Sequence, residues 1–525
     1  MRLKPLKPRM YNAIFHAHTV SGIVISFALY VIFFAGAISL FMNELYRWEN
    51  PEARFESINP EIVDYDQITS IVQQQVEGFD ITSQFGMMPP TKTNPLMLFY
   101  GTIKHSDGKK ERFSTYINPT THEITPPNKP KTHMAHTLYE LHYFGQIPIV
   151  GGYLSGLVAF FFIFAIITGL LIHWKNMVSK FYSFTSKGKW KQIWTNSHIS
   201  LGFITLPFQL IYAVTGALLC LSIFLLAPSA FLMFGGDTSQ VLKAVNPEAG
   251  YRHDQNAKTL HDYTSLNSIY AKVKAANPET DITYLYTTNY TKEDGTISVR
   301  TDDRIGIAGD GLFIYSGQDG RLLQSVDPEE KTYTSAAFRV LVKLHYANFG
   351  GPLMKIIYFF LSMVTCYVII SGVMIWQTAR DNDRYTAKQK KFHHRITKFY
   401  LAITLSMFPA LALIFLANIS VPMDMPNRAE LINTIFFLGW LLLTILGLFW
   451  NEYRQLNRNF ILIGCILGLL VPIANGVFTG DWLWKTLLSG QYYVYAVDAI
   501  WLIIGLFGIL IYKKYLSKQS SKVIA

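Results

Sequence analysis

The residues best suited to chemistry in this 525-residue sequence are four of its 14 histidines. His18 and His198 each begin a His-x3-Gly motif, and His142 and His345 each occur in a Leu-His-Tyr triplet. A neutral imidazole is a good ligand for iron, and two axial imidazoles bind haem iron from opposite sides of the macrocycle. Two matched pairs therefore predict two metal or haem sites, each with one ligand from each half of the repeated pattern.

Two glycines recur at a fixed distance from the first pair of histidines. Gly36 follows His18, and Gly216 follows His198, by 18 residues in each case. Because 18 residues make five helical turns, each glycine shares a helix face with its histidine. Glycine on an inward face lets a flat ring approach the backbone, although glycines in membrane helices also serve helix packing. We therefore predict that Gly36 and Gly216 contact a cofactor.

Other histidines leave alternatives open. His173 is a rival ligand for the site of His18 and His198, but its equivalent in the second half is Trp376, so symmetry does not support it. A single histidine at a membrane boundary is ordinarily an interfacial residue. Four more histidines are expected to be solvated: His133, His136, His393 and His394. His133 and His136 are also candidates for contact with a substrate.

Composition places these histidines in a membrane protein. Half of the residues are hydrophobic and 15% are charged, whereas soluble domains carry about 25% charged residues. A bilayer core requires about 20 apolar residues in a helix. The eight apolar runs of sufficient length cover roughly 18–43, 151–175, 198–226, 351–377, 398–420, 430–450, 459–478 and 492–513. We expect an α-helical polytopic membrane protein of about eight transmembrane helices.

The net charge of +11 is explained by membrane topology rather than by nucleic-acid binding. Basic residues cluster before the first span, between spans 2 and 3, 4 and 5, and 6 and 7, and after the last span. This positive-inside pattern predicts that both termini are cytoplasmic. We expect a bacterial inner-membrane protein whose surroundings are the lipid bilayer, with no nucleic-acid partner.

The first four spans form an internal repeat. Gly169 follows His142, and Gly372 follows His345, by 27 residues in each case. Each half consists of a helix, a polar outer segment and a second helix, and equivalent helices run in the same direction. In such a parallel repeat the pseudo-two-fold axis lies along the membrane normal. We therefore expect the two members of each histidine pair to face each other across this axis.

Each outer segment has the pattern of a helix followed by strands, which predicts two periplasmic α+β domains. The predicted domains are the N-terminal tail with span 1 (1–43), outer domain 1 (44–150), spans 2 and 3 with their loop (151–226), outer domain 2 (227–350), span 4 (351–377), and a basic loop with spans 5 to 8 (378–525).

Several other features bear on function. The sequence has no P-loop, no GxGxxG motif and no GxSxG motif, so nothing indicates nucleotide binding or hydrolytic catalysis. Asp498 is an intramembrane acid, which is either functional or close enough to the outer end of its span to reach the interface. Pro207 and Gln209 lie in span 3, where a transporter would need a broken helix or polar side chains.

The repeated motifs resemble the PepSY-associated membrane-helix family. The residues that carry the resemblance are the two His-x3-Gly openings, the two Leu-His-Tyr triplets, and the Thr168-Gly169 and Ser371-Gly372 steps. The outer segments resemble PepSY domains, each a helix followed by strands. The resemblance covers about 10–380, and spans 5 to 8 are additional to the family pattern.

The resemblance implies an inner-membrane protein of iron uptake, similar to haem-containing reductases of ferric siderophores. Haem-ligand roles then fall on His18 and His198 at the inner site and on His142 and His345 at the outer site. We expect a haem-dependent oxidoreductase with two b-type haems that passes electrons across the membrane to a periplasmic ferric chelate. The electron donor and the catalytic residues are not indicated. The alternatives are a non-redox PepSY protein that binds or regulates a periplasmic partner, and a siderophore or iron transporter.

Overall fold

The computed structural model describes residues 7–516 except 93, 126–132, 177–178, 180, 183, 185–187, 223–227, 229–230, 233–234, 238–239, 241–250, 252, 255, 303–310 and 327–332. The end of the predicted third span, the tip of the N-terminal tail and the C-terminal basic residues Lys518 and Lys522 lie outside the described residues.

The described elements, in chain order, are α1 (Pro8–Ser39), α2 (Met42–Glu49), α3 (Tyr65–Gln75), β1 (Phe85–Met88), β2 (Met97–Lys104), β3 (Lys110–Ile117), α4 (Met134–Tyr143), α5 (Gly151–His173), α6 (Trp190–Ile204), α7 (Leu206–Cys220), α8 (Leu266–Ala276), β4 (Asp281–Thr288), β5 (Thr296–Asp302), β6 (Gly311–Ser316), β7 (Leu322–Val326), α9 (Tyr333–Tyr346), α10 (Gly351–Thr378), α11 (Ala387–Ser420), α12 (Arg428–Phe449), α13 (Tyr453–Thr479), α14 (Leu483–Leu488) and α15 (Tyr492–Ile511).

These elements form two compact units. The first is helical and consists of Met1–Glu49, Lys131–Ser222 and Lys355–Ala525. The second contains the strands and consists of Asn50–Pro130 and Ile223–Met354.

The long apolar helices show that the chain is a multi-pass membrane protein. Among the described residues, seven helices are long and apolar enough to cross a bilayer, and the pair α6 and α7 raises the number to eight if it counts as one span. The seven are α1, α5, α10, α11, α12, α13 and α15. Helix α1 packs against α5, α11 packs against α12 and α13, and α13 packs against α15.

The third span, predicted as one continuous helix, is bent in the structure by 70° between α6 and α7. Pro207 in the first turn of α7 causes the break, because proline has no N–H and its ring clashes with the preceding turn. The polar groups at the break bind one another: Gln209 Nε2 donates to Thr205 Oγ1 at 2.7 Å, and Thr205 Oγ1 donates to the Leu201 carbonyl at 2.8 Å. Both Thr205 and Gln209 are buried.

Helix α2 connects the repeat to the additional helices. The buried carboxylate of Glu49 accepts a hydrogen bond from the Ala135 backbone N–H at 3.0 Å. The Glu49 carbonyl accepts a second bond from Asn418 Nδ2 of α11 at 2.9 Å. One residue therefore fixes the end of α2 against both α4 and α11.

In the second unit, the two outer segments share a single antiparallel sheet rather than forming two separate sheets. The strand order is β3-β2-β1-β4-β5-β6-β7, and the first segment meets the second where β1 pairs with β4. Gly86 is opposite Tyr286 at this junction. Pairing satisfies two strand edges that would otherwise expose unpaired backbone groups. One hydrophobic core, built from both segments, covers the sheet.

Two helices of this unit, α3 and α8, cap each other reciprocally. The Leu266 N–H at the start of α8 donates to Asp66 Oδ1 of α3 at 2.8 Å. The Tyr65 N–H at the start of α3 donates to Asn267 Oδ1 of α8 at 2.8 Å. Because free N–H groups at a helix start need acceptors, each segment supplies a group that the other requires.

Candidate functional site

In the helical unit, the structure brings the rings of His18 of α1 and His198 of α6 next to each other in an edge-on arrangement. Their ring centres are 6.4 Å apart and the ring planes are inclined by 69°. If two imidazoles bound one metal ion from opposite sides, the ion would lie about 2 Å from each coordinating nitrogen. The distance between the two ring centres would then be twice that length plus about one ring radius on each side. The observed separation is of this size.

The position of His18 is fixed by α5. His18 Nδ1 lies 2.9 Å from the Ala165 carbonyl oxygen and 3.2 Å from Thr168 Oγ1. A carbonyl only accepts hydrogen bonds, so Nδ1 carries the proton and Nε2 keeps its lone pair. A hydrogen bond of this kind at one ring nitrogen is typical of histidines that bind a metal through the other.

His198 has an equivalent set of contacts with α10. Its Nδ1 donates to the Val368 carbonyl oxygen at 2.9 Å and lies 3.2 Å from Ser371 Oγ. The Ser371 hydroxyl itself donates to the Val368 carbonyl at 2.7 Å. His198 is therefore held in the same tautomer as His18, with Nε2 available as a ligand.

A glycine makes room for each of these rings. A Cβ atom at Gly169 would lie 3.2 Å from Cε1 of His18, and a Cβ atom at Gly372 would lie 3.1 Å from Cε1 of His198. Each glycine stands four residues after the carbonyl that accepts the hydrogen bond. The Thr-Gly and Ser-Gly steps were visible in the sequence, but sequence reasoning missed their role in positioning the inner histidines.

His142 of α4 binds to α1 in the same manner. Its Nδ1 lies 2.8 Å from the Ile32 carbonyl oxygen, and a Cβ atom at Gly36 would lie 2.5 Å from this nitrogen. Burial lowers the pKa of His142, and the hydrogen bond to Ile32 opposes that effect only in part. A neutral imidazole is the form that binds iron. Gly36, predicted to contact a cofactor, thus contacts the imidazole of a predicted ligand.

The other residues predicted for haem binding are His345, at the outer site, and Gly216. His345 lies at the end of α9 in the second unit, with its ring 5.6 Å from that of Tyr346. Gly216 lies in α7 between the buried residues Thr215 and Ala217. The pairing of His142 with His345 and the role of Gly216 stay predictions.

His173, the rival inner ligand, is the last residue of α5. Its ring centre lies 6.5 Å from that of Phe203, and it is close enough to His198 to interact with it electrostatically. The described residues include no group of three or more histidines, cysteines or acids arranged to hold a metal ion. Of the four predicted haem ligands, His18 and His198 are the pair whose rings lie next to each other among the described residues.

The histidines expected to be solvated are partly packed. The rings of His133 and His136 are 4.4 Å apart, and burial together with the neighbouring His136 lowers the pKa of His133 to about 4. His393 and His394 are half-buried, and the ring of His394 stacks on Tyr453 at 4.7 Å. Local sequence did not indicate the contact of His394 with Tyr453, because the two residues lie on different helices.

Asp498 is enclosed by other helices of the helical unit. Its side chain is fully buried, and its carboxylate accepts hydrogen bonds from Trp48 Nε1 at 2.8 Å and from Asn475 Nδ2 at 2.7 Å. A buried carboxylate needs such donors. This acid joins α15 to α2 and α13.

Comparison with known proteins indicates the same family as the repeated motifs. The family model of the PepSY-associated TM region matches residues 15–378, which include all four paired histidines. No curated protein matches the sequence significantly. Because the family model covers more than half of the chain, the protein belongs to the PepSY-associated transmembrane family.

Proposed function

We propose that this protein is a haem-dependent oxidoreductase of the bacterial inner membrane that reduces a periplasmic ferric chelate such as a ferric siderophore. The observation that carries the proposal is the neighbouring pair His18 and His198, each with Nδ1 bound to a carbonyl and Nε2 available. Paired neutral imidazoles of this tautomer suit a b-type haem, which supplies one-electron chemistry when bound.

The chain's own residues hold the ligands in place for such a cofactor. Ala165 and Val368 fix the tautomers, and Thr168 and Ser371 add a second hydrogen bond at each ring. Two helix pairs hold these ligands: His18 of α1 is bound to α5, and His198 of α6 is bound to α10. A rigid ligand pair changes little in geometry when the iron changes charge, which favours electron transfer.

An outer haem site on His142 and His345 is part of the same proposal. Burial lowers the pKa of His142 and so favours its neutral form, and the Ile32 carbonyl fixes its ring, as the inner histidines are fixed by their carbonyls. With a second site on the other side of the bilayer, electrons from a cytoplasmic donor would reach a periplasmic chelate.

Transport is less well supported. The bend between α6 and α7 resembles the broken helices of transporters. However, the Gln209 amide N–H and the Thr205 hydroxyl at the bend donate within the span itself, so these donors are engaged rather than turned toward a substrate.

Haem content and reduced-minus-oxidised spectra of purified variants test the redox proposal. His18→Ala and His198→Ala should each shift the spectrum or lower the occupancy of one haem. The double variant should add little, because residues that act as one unit are non-additive. His16→Ala is the matched control, since His16 is exposed on the same helix.

Three results would contradict the proposal or its ligand set. Absence of haem from the purified wild-type protein would rule out the redox function and favour the partner-binding alternative. Unchanged haem content in all variants would rule out the assigned ligands. Loss of the inner haem in His173→Ala but not in His198→Ala would make His173 the ligand.

A further inference from the structure

A cavity of about 250 Å³ lies where α10 ends and α11 begins. Its basic and imidazole lining consists of Arg380, Lys390, Lys391, His393 and His394. Asp381 and Gln377 complete the lining. With both imidazoles neutral, three positive charges face one negative charge. The redox proposal assigns no role to these residues.

The cations at this cavity are only weakly neutralised. Lys390 Nζ lies 3.7 Å from the carboxylate of Asp383, whose side chain is fully exposed, so this ion pair contributes little. Arg380 is oriented by the chain: its Nη1 donates to the Trp376 carbonyl at 3.1 Å, and its guanidinium lies 4.5 Å from the Trp376 ring centre. A guanidinium held in this way is ready for a second partner.

His393 provides an independent observation. Its ring is packed 5.3 Å from that of Trp376 and 5.4 Å from that of Tyr385. Its Nδ1 atom is buried and has no hydrogen-bond partner among the described residues. A buried polar atom without a partner is costly and needs an explanation. His394 differs, because its Nδ1 lies 2.7 Å from Tyr453 Oη.

The start of α11 carries charge of the wrong sign for helix stability. Its first turns contain Lys388, Lys390 and Lys391, and its first turn has no acidic residue. Positive charges near a helix N-terminus oppose the helix dipole. An anion bound at this point would reverse the unfavourable interaction.

We propose that this cavity binds a phosphate-bearing anion. Phosphate oxygens accept charge-assisted hydrogen bonds from arginine and lysine, and ordinary hydrogen bonds from a neutral imidazole N–H; these are the groups present. The volume is below the roughly 300–1,000 Å³ of pockets that enclose drug-sized ligands, so it suits a phosphate group rather than a whole nucleotide. The source is a phospholipid headgroup at the bilayer surface or a soluble phosphate compound.

Binding measurements on the full-length protein distinguish the two sources. The protein in phosphatidylcholine nanodiscs is titrated with inorganic phosphate by calorimetry. In a second arm, detergent-solubilised protein is given phosphatidylglycerol or phosphatidylcholine, and lipid retention is measured by native mass spectrometry. Saturable phosphate binding indicates a soluble source, and selective retention of phosphatidylglycerol alone indicates a lipid headgroup.

The variant Lys390→Gln/Lys391→Gln should weaken binding at least about tenfold in the arm that shows it, since two charge-assisted contacts are lost. His393→Gln should weaken it as well. Lys388→Gln is the matched control, because Lys388 is exposed on the same helix turn and does not line the cavity. Thermal unfolding of each variant checks that the fold is intact.

The proposal is overturned if wild-type protein binds neither phosphate nor phosphatidylglycerol selectively. It is also overturned if Lys388→Gln weakens binding as much as the double variant, since the effect would then be general surface charge. Haem content has no part in these readouts, so the two proposals fail independently.

Discussion

At the scale of single residues, three histidines follow one geometric rule. His18, His142 and His198 each donate from Nδ1 to a carbonyl, and each ring packs beside a glycine four residues after that carbonyl. A helical carbonyl has two lone pairs, and one is already used by the N–H four residues on. Glycine at that position opens access to the second.

This rule makes Gly36→Ala a specific test. The added Cβ would lie 2.5 Å from His142 Nδ1, so the ring must move and lose its bond to Ile32. We expect a loss of about 1–3 kcal/mol in stability, as for overpacked cores. The measurements are thermal unfolding and, under the proposed function, the spectrum of a haem bound at the proposed outer site.

Gly22→Ala is the control for this substitution, since a Cβ at Gly22 meets nothing within 4 Å. Alanine is also the better helix former, so Gly22→Ala should be neutral or slightly stabilising. If both substitutions lowered the stability equally, the glycines of α1 would be needed for backbone flexibility, and not because Gly36 makes room for the imidazole.

At the scale of elements, α11 to α15 are joined to the repeat through buried polar contacts at α2. Asp498 binds Trp48, and Asn418 binds the Glu49 carbonyl. Such contacts are directional and require both partners. The additional helices therefore position α2 and α4, and α4 carries His142.

Asp498→Ala tests this connection. The substitution leaves Trp48 Nε1–H and the Asn475 amide without their buried acceptor, at a cost of about 1–3 kcal/mol for each group. We expect a lower unfolding temperature and a perturbed spectrum of the His142 site, with the His18 site unchanged. Asp424→Ala, at an exposed position, should change neither. An unfolding temperature equal to that of wild type would show that the contact does not stabilise the fold.

At the scale of the whole molecule, the shared sheet constrains topology. Strands β1 and β4 belong to different outer segments and pair directly, so both segments must lie on the same side of the membrane. The basic loops predict that this side is the periplasm.

Reporter fusions test the topology. Fusions at 120 and 300 should give periplasmic signals, and fusions at 185 and 520 should give cytoplasmic signals. Opposite signals from 120 and 300 would contradict the shared sheet. Cytoplasmic signals from both fusions would instead mean that the whole chain has the opposite orientation in the membrane, with the same fold.

The family, the membrane class and the approximate spans were predictable from the sequence, because hydrophobic length and recurring motifs can be read along the chain. The proximity of His18 and His198 was also predictable, because the two residues occupy equivalent positions in the repeat. Pro207 marked a position where the third span could break, but the 70° angle between α6 and α7 is visible only in the structure. Sequence reasoning also missed the joining of the two outer segments in one sheet, since the β1–β4 contact links residues about 200 positions apart.

The groups that hold the histidines became apparent from the three-dimensional fold alone. The carbonyls of Ala165, Val368 and Ile32 have no distinctive side-chain signature, since any residue type has a carbonyl. Asp498 likewise looked like a functional acid, and its donors Trp48 and Asn475 lie on other helices. Hydrogen bonds between distant helices depend on three-dimensional proximity, so spacing along the chain does not specify them.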